Sequence, residues 1–515
     1  MRSKKALFNL SANLLLQFVT ALVGILLPRL MIEAYGSSVN GMVSSINQFL
    51  RYLSLIEAGL GAASIAALYA PLASQQWGRL NAILSASHHF YRRVGYGFAG
   101  LVVLSSLLYP LLVHGQVPAI TASMMVLILA GSGLVEYFVI GKYRVLLVAD
   151  QKSYILSLIQ TLGVILNAAV SILLIQAGFD VLITQSAAML IFVSRVILVR
   201  GYVLRKYREV SYQATPDYQA LDRRWDAFIH QLNNLIVNAA PILVITIFCS
   251  LKEVSVYAVY NMIFVAVNMF IAAFSTGLIA SFGQLIANND QETLHRSFGL
   301  YEYLYYGVLT WGYITAGVLI LPFISIYTAG IQDAQYIRPE LALLFVICGI
   351  VGNIRQPHYM LIQAAGHFRE TKRQSLMESI IHLAASIALV QWLGVTGVLL
   401  GSLCAHLYRT PLLLYYAAKQ ILQGTLRHSL YRVIRIAVVS VMGMAPFILL
   451  PLLQPTSWLE WTLAACGISL GMLLVVISMN LISERRTAVA AWRQIMAMYR
   501  SVLGRLKRND QTDGT

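Results

Sequence analysis

The sequence predicts an all-α polytopic membrane protein with fourteen transmembrane helices: two pseudo-symmetric six-helix lobes and an extra C-terminal helix pair. Three observations carry that expectation: the hydropathy of the chain, the one-sided placement of its basic residues, and an internal repeat. Of 515 residues, 58% are apolar and only 11% are charged. A soluble domain carries about 25% charged residues. The net charge of +16 would point to nucleic acid in a soluble chain. No basic soluble domain with interleaved aromatics is present to bind it, so nucleic acid is not an expected partner.

A spanning helix needs about 20 apolar residues. Fourteen stretches qualify: 7–32, 39–69, 94–114, 119–147, 153–177, 181–204, 227–250, 254–287, 302–327, 340–365, 375–393, 395–418, 432–453 and 458–482. The basic opening MRSKKALFNL is followed by an apolar run too long for a signal peptide, with no small-residue cleavage site, so it reads as the first span. Spans eleven and twelve are joined by a very short turn at Leu393–Val395.

With the N-terminus in the cytoplasm, cytoplasmic segments hold 30 Lys and Arg, and external segments hold only Lys252 and Arg338. This positive-inside split fixes the expected orientation, with both termini cytoplasmic. The stretch 484–508 interleaves Arg with Trp492, Ile495, Met496, Tyr499 and Leu503. That is the pattern of a basic amphipathic helix on the inner leaflet, where membrane lipids are its expected partners. The four cysteines are isolated in apolar runs and have neither metal nor disulfide spacing.

The two halves resemble each other at an offset of about 215: Ser171–Ile175 falls on Ser386–Val390, Val39 on Val254, and Arg195 on Arg409 at 214. The expected organisation is an N-lobe (1–204), a cytoplasmic linker (205–225), a C-lobe (226–418) and the extra pair (430–482). Six-helix repeats run parallel, and transporters built from such repeats bind substrate between lobes near the midplane.

Five arginines fall inside the spans: Arg29, Arg51, Arg195, Arg355 and Arg409. A guanidinium at the bilayer centre costs at least about 2.5–3.5 kcal/mol on insertion scales, so it needs a partner or a wet cavity. Fixed cations suit an anionic cargo, and arginine matches phosphate bidentately. Arg51 and Arg355 sit deepest and fall one in each lobe, and Arg29 follows Pro28 near the outer end of span one. These three are the candidate ligands for an anionic, phosphate-like cargo. Arg195 and Arg409 read as structural repeat mates.

Polar stripes accompany them. Span one carries Asn9, Asn13 and Gln17 at a spacing of four, and span seven carries His230, Asn234 and Asn238 likewise. Each is one helical face, which either binds helices together or lines a hydrated gap. Gln48 shares a face with Arg51, and His358 follows Arg355 by three. Candidate cavity-lining residues are therefore Asn13, Gln17, Gln48, Asn234, Asn238 and His358. Glu57 points about 120° away from Arg51 around its helix. Glu57, Glu378 and His382 are candidates for coupling to a proton or sodium ion, and Glu136 and Glu378 are candidate partners for the arginines. No ATP-binding loop, HExxH motif or carboxylate pair at a membrane face appears, so no catalytic function, cofactor or metal is expected. Transport remains.

The segments AYGSSVNGMVSSINQFLRYLSLIEAGLGAA (34–63), the following ALYAPLA, and LLVADQKSY (146–154) resemble the polysaccharide biosynthesis (Wzx-type) flippases. These belong to the multidrug/oligosaccharidyl-lipid/polysaccharide exporter superfamily. VSVYAVYNM (254–262) resembles the matching opening of the second lobe. The final helix pair departs from twelve-helix members and is similar to the fourteen-helix members, which include lipid II flippases. The resemblance implies a place in the bacterial cytoplasmic membrane, and the expected state is a monomer. Its implied cargo is an undecaprenyl-pyrophosphate-linked oligosaccharide, moved to the outer leaflet by alternating access. The alternatives are a cation-coupled multidrug exporter on the same fold and a lipid II-type flippase. Five intramembrane arginines against three firm intramembrane acids favour the anionic cargo.

Overall fold

The computed structural model describes residues 2–54, 60–218, 239–275, 278–450, 453–493 and 496. Among them, twelve helices are long and apolar enough to cross a membrane. The two remaining expected spans, two and seven, fall partly on residues 55–59 and 219–238, outside the described residues. In chain order the helices are α1 (Arg2–Tyr35), α2 (Ser37–Leu53), α3 (Leu60–Ala73), α4 (Trp77–Leu112), α5 (Ala119–Val135), α6 (Gly141–Ala149), α7 (Ser153–Gln176) and α8 (Val181–Lys206). Next come α9 (Ala239–Phe248), α10 (Leu251–Ala273), α11 (Leu278–Ala287), α12 (Gln291–Tyr327), α13 (Pro339–Ile354) and α14 (Gln356–Ala364). The last are α15 (Phe368–Leu393), α16 (Val395–Tyr416), α17 (Arg427–Leu449), α18 (Trp458–Ser483) and α19 (485–493).

Several helices outrun their apolar stretch. The third span was expected at 94–114, yet α4 begins at Trp77; the ninth was expected at 302–327, yet α12 begins at Gln291. Nothing in 77–93 or 291–301 stops a helix, so hydrophobicity ends before helicity does. Asp290 starts α12 by accepting the Thr293 amide at 3.1 Å. Ser457 starts α18 by accepting from the Glu460 amide, and Glu460 returns a bond to the Thr456 amide at 2.8 Å. The short turn between α15 and α16 rests on two glycines. Gly394 takes φ +56°, and a Cβ on Gly397 would land on the Leu389 carbonyl.

The contacts divide the chain into two compact units. The first comprises Met1–Met262, Gly330–Tyr336 and Leu383–Val398. Within it α1 lies along α7, α7 along α8, and α4 along α5. Its core includes Met42, Ile46, Leu84, Tyr91, Phe98, Met125 and Leu146. The Asp150 carboxylate in the turn after α6 accepts from Tyr207 Oη and from Lys152 Nζ, each at 2.5 Å, and lies 3.3 Å from Lys5 Nζ. The 146–154 motif thus ties α1, α7 and the end of α8 together. Burial raises the Asp150 pKa, but the bonds from Lys152 and Tyr207 and the two lysine charges outweigh it and hold it below the usual value.

The second unit comprises Ile263–Ala329, Ile337–His382 and Leu399–Thr515. Here α12 is the hub, packed by α13, α17 and α18. Tyr305, Tyr306, Tyr313 and Tyr327 are buried along it. Trp311 and Trp461 donate their indole N–H groups to the Ser469 and Leu319 carbonyls, at 2.9 and 3.4 Å, and so join α18 to α12.

Candidate functional site

Span ten is not one continuous helix. It breaks at Arg355, which ends α13 and precedes Gln356–Pro357 at the start of α14. Pro357 has no N–H to continue the ladder and crowds the carbonyl four residues back. At this break Arg355 Nη1 donates to Glu378 Oε1 at 2.5 Å. Arg409 Nη1 donates to the other carboxylate oxygen, Oε2, and to Ser375 Oγ at 3.1 Å. His406 Nδ1 lies 3.5 Å from Oε1. Glu378 is fully buried, with two guanidiniums from two different helices on one carboxylate. Two guanidiniums thus face one carboxylate. The Tyr359 ring faces Arg409 at 5.7 Å and adds cation–π attraction.

The geometry permits this because the helices approach closely. Gly352 presents no side chain to His406, whose ring lies 3.2 Å from where a Cβ would stand. One turn further along α15, the His382 and Ser402 side chains hydrogen bond at 2.9 Å.

The first unit holds a related arrangement. Span four is interrupted by a π-turn at Glu136–Ile140. At the repeat offset of 215 this turn falls on Val351–Arg355, where span ten breaks. The irregularity therefore recurs at one register in both lobes, and π-turns frequently mark functional positions. Glu136 Oε1 lies 3.3 Å from Arg144 Nε, and Arg195 Nε donates to the Phe192 carbonyl at 3.2 Å. Glu136, Arg144 and Arg195, with Ser157 and Gln160, line a cavity of about 220 Å³. An arginine stands on the sixth helix of each lobe, but Arg409 meets its acid on span eleven, whereas the span-four carboxylate Glu136 pairs with Arg144. Gly163, the offset mate of Glu378, lies directly against the Arg195 side chain.

The other expected site residues are distributed as follows. Arg51 is exposed in the last turn of α2, and Gln48, one turn earlier, is buried. Arg29 is half-buried in α1, which runs unbroken through Pro28. Gln17 is exposed. Asn13 accepts from Ser157 Oγ at 2.8 Å, while Asn9 accepts from the Tyr154 amide and donates to the Gln151 carbonyl. Both asparagines thus bridge α1 to α7 and its preceding turn. His358 is fully buried, with Nε2 at 3.6 Å from Glu302 Oε1 and an edge contact to Phe298. Glu57, Asn234 and Asn238 lie outside the described residues.

Two groups were not singled out from the sequence. Asn268 Oδ1 accepts from Tyr313 Oη at 2.7 Å and from Asn353 Nδ2 at 2.8 Å, a polar patch two residues before the Arg355 break. At the other end of α17, Arg432 forks onto Glu484 and also donates to Glu302 Oε2 at 2.7 Å, while Arg435 donates to Glu484 at 2.8 Å. Their sequence signal was an arginine pair spaced by three at the start of span thirteen, which reads equally well as a positive-inside flank.

No family model matches the chain, and no curated protein matches it. Solved structures do. The chain is similar to "Lipid II flippase MurJ, inward closed conformation", with TM-score 0.67 at 15% identity over 93% of this chain and 100% of that one. It is also similar to an inward-facing multidrug resistance MATE family transporter of the MOP superfamily, with TM-score 0.61 at 14% identity over 84% of this chain and 98% of that one. An outward-facing MATE structure gives 0.53 at 14% identity, over 82% and 97%. The chain therefore has the all-helical, two-lobed fold of these proteins and is a multi-pass membrane protein.

Proposed function

We propose that this protein is a flippase that carries the head of a polyprenyl-pyrophosphate-linked oligosaccharide from the inner to the outer leaflet of a bacterial plasma membrane. The carrying observation is the surplus of guanidinium over carboxylate at the span-ten break, where Arg355 and Arg409 share Glu378 on a transporter fold. A pyrophosphate is the kind of group that competes with a carboxylate for a guanidinium fork.

In this reading the two lobes, 1–204 and 226–418, alternate in access around a cationic cavity, with both termini cytoplasmic. Arg51, Arg355 and Arg29 meet the pyrophosphate. Gln48, Gln17, Asn13, His358, Asn234 and Asn238 serve the sugar side, joined by Asn268, Tyr313 and Asn353. The polyprenyl tail stays in lipid, so only the head crosses. Glu378 is the gatekeeper of the cationic charge: its protonation, or its replacement by the cargo, releases Arg355 and Arg409. Glu57 and His382 are further coupling candidates, with proton or sodium as the driving ion.

A lipid II-type cargo is the second reading. It is favoured by the larger share of this chain that the MurJ likeness spans, by about a tenth of the chain over the MATE likeness. Both readings require the same fixed cations and differ in the sugar. The deciding experiment deletes the gene and identifies the lipid-linked glycan that accumulates in the inner leaflet. Accumulation of lipid-linked repeat units supports the first reading, and accumulation of lipid II the second. Loss of drug efflux with neither lipid accumulating overturns both.

A further inference from the structure

At the end of the second unit opposite the α12–α13 loop, a cavity of about 810 Å³ opens between the first turns of α12, the start of α17 and α19. Arg296, Arg432, Arg486, Arg493 and His295 line it, and among the described residues no acidic side chain does. The Arg432 guanidinium forms its floor and is neutralised by Glu302 and Glu484. Glu484 also engages Arg435, so both nearby carboxylates are committed. Among the described residues Arg296, Arg486 and Arg493 form no ion pair, and all three are exposed. Three exposed guanidiniums without an ion pair therefore line one concave space whose walls also include Leu300 and Ala490.

The rest of α19 says where this space lies. Ala488 and Ala491 pack on Tyr303 and hold the helix against α12. Trp492 is 65% exposed and Val489 is 40% exposed on another face. Arg486 and Arg493, seven residues apart, share the face that lines the cavity. An exposed tryptophan beside arginines, where three membrane helices end, is the pattern of a helix lying in the headgroup layer.

We infer that this cavity is a binding site for the phosphate headgroup of an anionic phospholipid, separate from the transport cavity. Arginine forks hold the phosphate, the cavity has the size of a small-ligand site, and the acyl chains extend beside α12 and α18 into the bilayer. Under the orientation proposed above, the site faces the inner leaflet, where anionic lipid collects against basic residues. A lipid held there would brace α19 on the hub helix α12.

The test uses the full chain in detergent micelles, with native mass spectrometry to count bound phosphatidylglycerol or phosphatidylcholine. Wild type is expected to retain phosphatidylglycerol and release phosphatidylcholine. The triple variant Arg296→Gln/Arg486→Gln/Arg493→Gln is expected to bind phosphatidylglycerol at least about tenfold more weakly. The control Arg369→Gln/Arg373→Gln/Arg427→Gln removes equal charge outside the cavity and is expected to bind as wild type. Arg486→Glu alone gives the same loss if the triple variant proves unstable. Equal weakening in variant and control, or unchanged binding in both cavity variants, overturns the site. Full displacement of the lipid by inorganic phosphate would show a free-anion site and overturn the lipid assignment. The readout needs no export assay, so its failure leaves the cargo reading untouched.

Discussion

Asn40 donates its side-chain amide to the Ser255 hydroxyl at 2.7 Å, and the two residues stand 215 positions apart in the chain. That separation equals the repeat offset read from the sequence, and both residues belong to the first unit. Around them, the Tyr336 hydroxyl bridges Ser37 and Ser255 at 2.7 and 2.8 Å, and Asp333 accepts from both the amide and the hydroxyl of Ser37. A buried, fully bonded polar knot of this kind holds one arrangement firmly.

If alternating access operates, this knot opens during each cycle. In a background lacking the four native cysteines, Asn40→Cys/Ser255→Cys is expected to lose export on oxidation and regain it on reduction. The check is export of the lipid-linked glycan with and without reductant, and export that persists with the cross-link formed would refute a moving knot.

Gly41 packs where a Cβ would land on the Leu251 backbone. Backbone cannot yield as a flexible side chain does. Gly41→Ala is therefore expected to lower stability by about 1–3 kcal/mol, the usual range for overpacking, and to splay α2 from α10. A thermal melt in detergent measures it, and an unchanged midpoint would contradict the close approach.

Removing a member of the Glu378 cluster should have graded effects. Glu378→Ala strands two buried guanidiniums, whereas Arg355→Ala leaves the carboxylate with Arg409. We expect Glu378→Ala to lose the most stability, of the order of 3–5 kcal/mol, and Arg355→Ala less. Arg355→Ala and Arg51→Ala are both expected to abolish export while remaining folded. Wild-type export in both would remove these arginines from the cargo site.

Asp150 gives a pH signature. Its folded pKa lies below the ordinary 3.8, so its stabilising contribution is complete above that value and is lost as pH falls through the folded value. The stability gap between wild type and Asp150→Asn should be constant at neutral pH, narrow below about pH 4 and close at still lower pH. Melting curves of the two proteins across that range test it. A gap that widened toward acid would have the wrong sign.

Much was legible in the chain itself. The membrane class followed from composition, because a bilayer requires long apolar helices, and the repeat was visible because both halves solve one packing problem. Arg195 and Arg409 were read as mates by spacing alone, and Glu378 and Glu136 were named as candidate partners; the structure brings Glu378 to Arg355 and Arg409. The helix starts at Trp77 and Gln291 were not legible, since helicity continues where hydropathy stops.

The sequence by itself determined that this protein is a repeated, membrane-crossing bundle with cations where lipid should be. Only the tertiary structure decided which charges neutralise which. Arg355 reaches Glu378 across 23 positions and Arg432 reaches Glu484 across 52, and the helix break that aims Arg355 lies within one apolar run. Hydropathy and helical period report the face a residue occupies on its own helix. Pairing across helices depends on rotation and depth relative to neighbours, which packing sets and one-dimensional spacing does not encode.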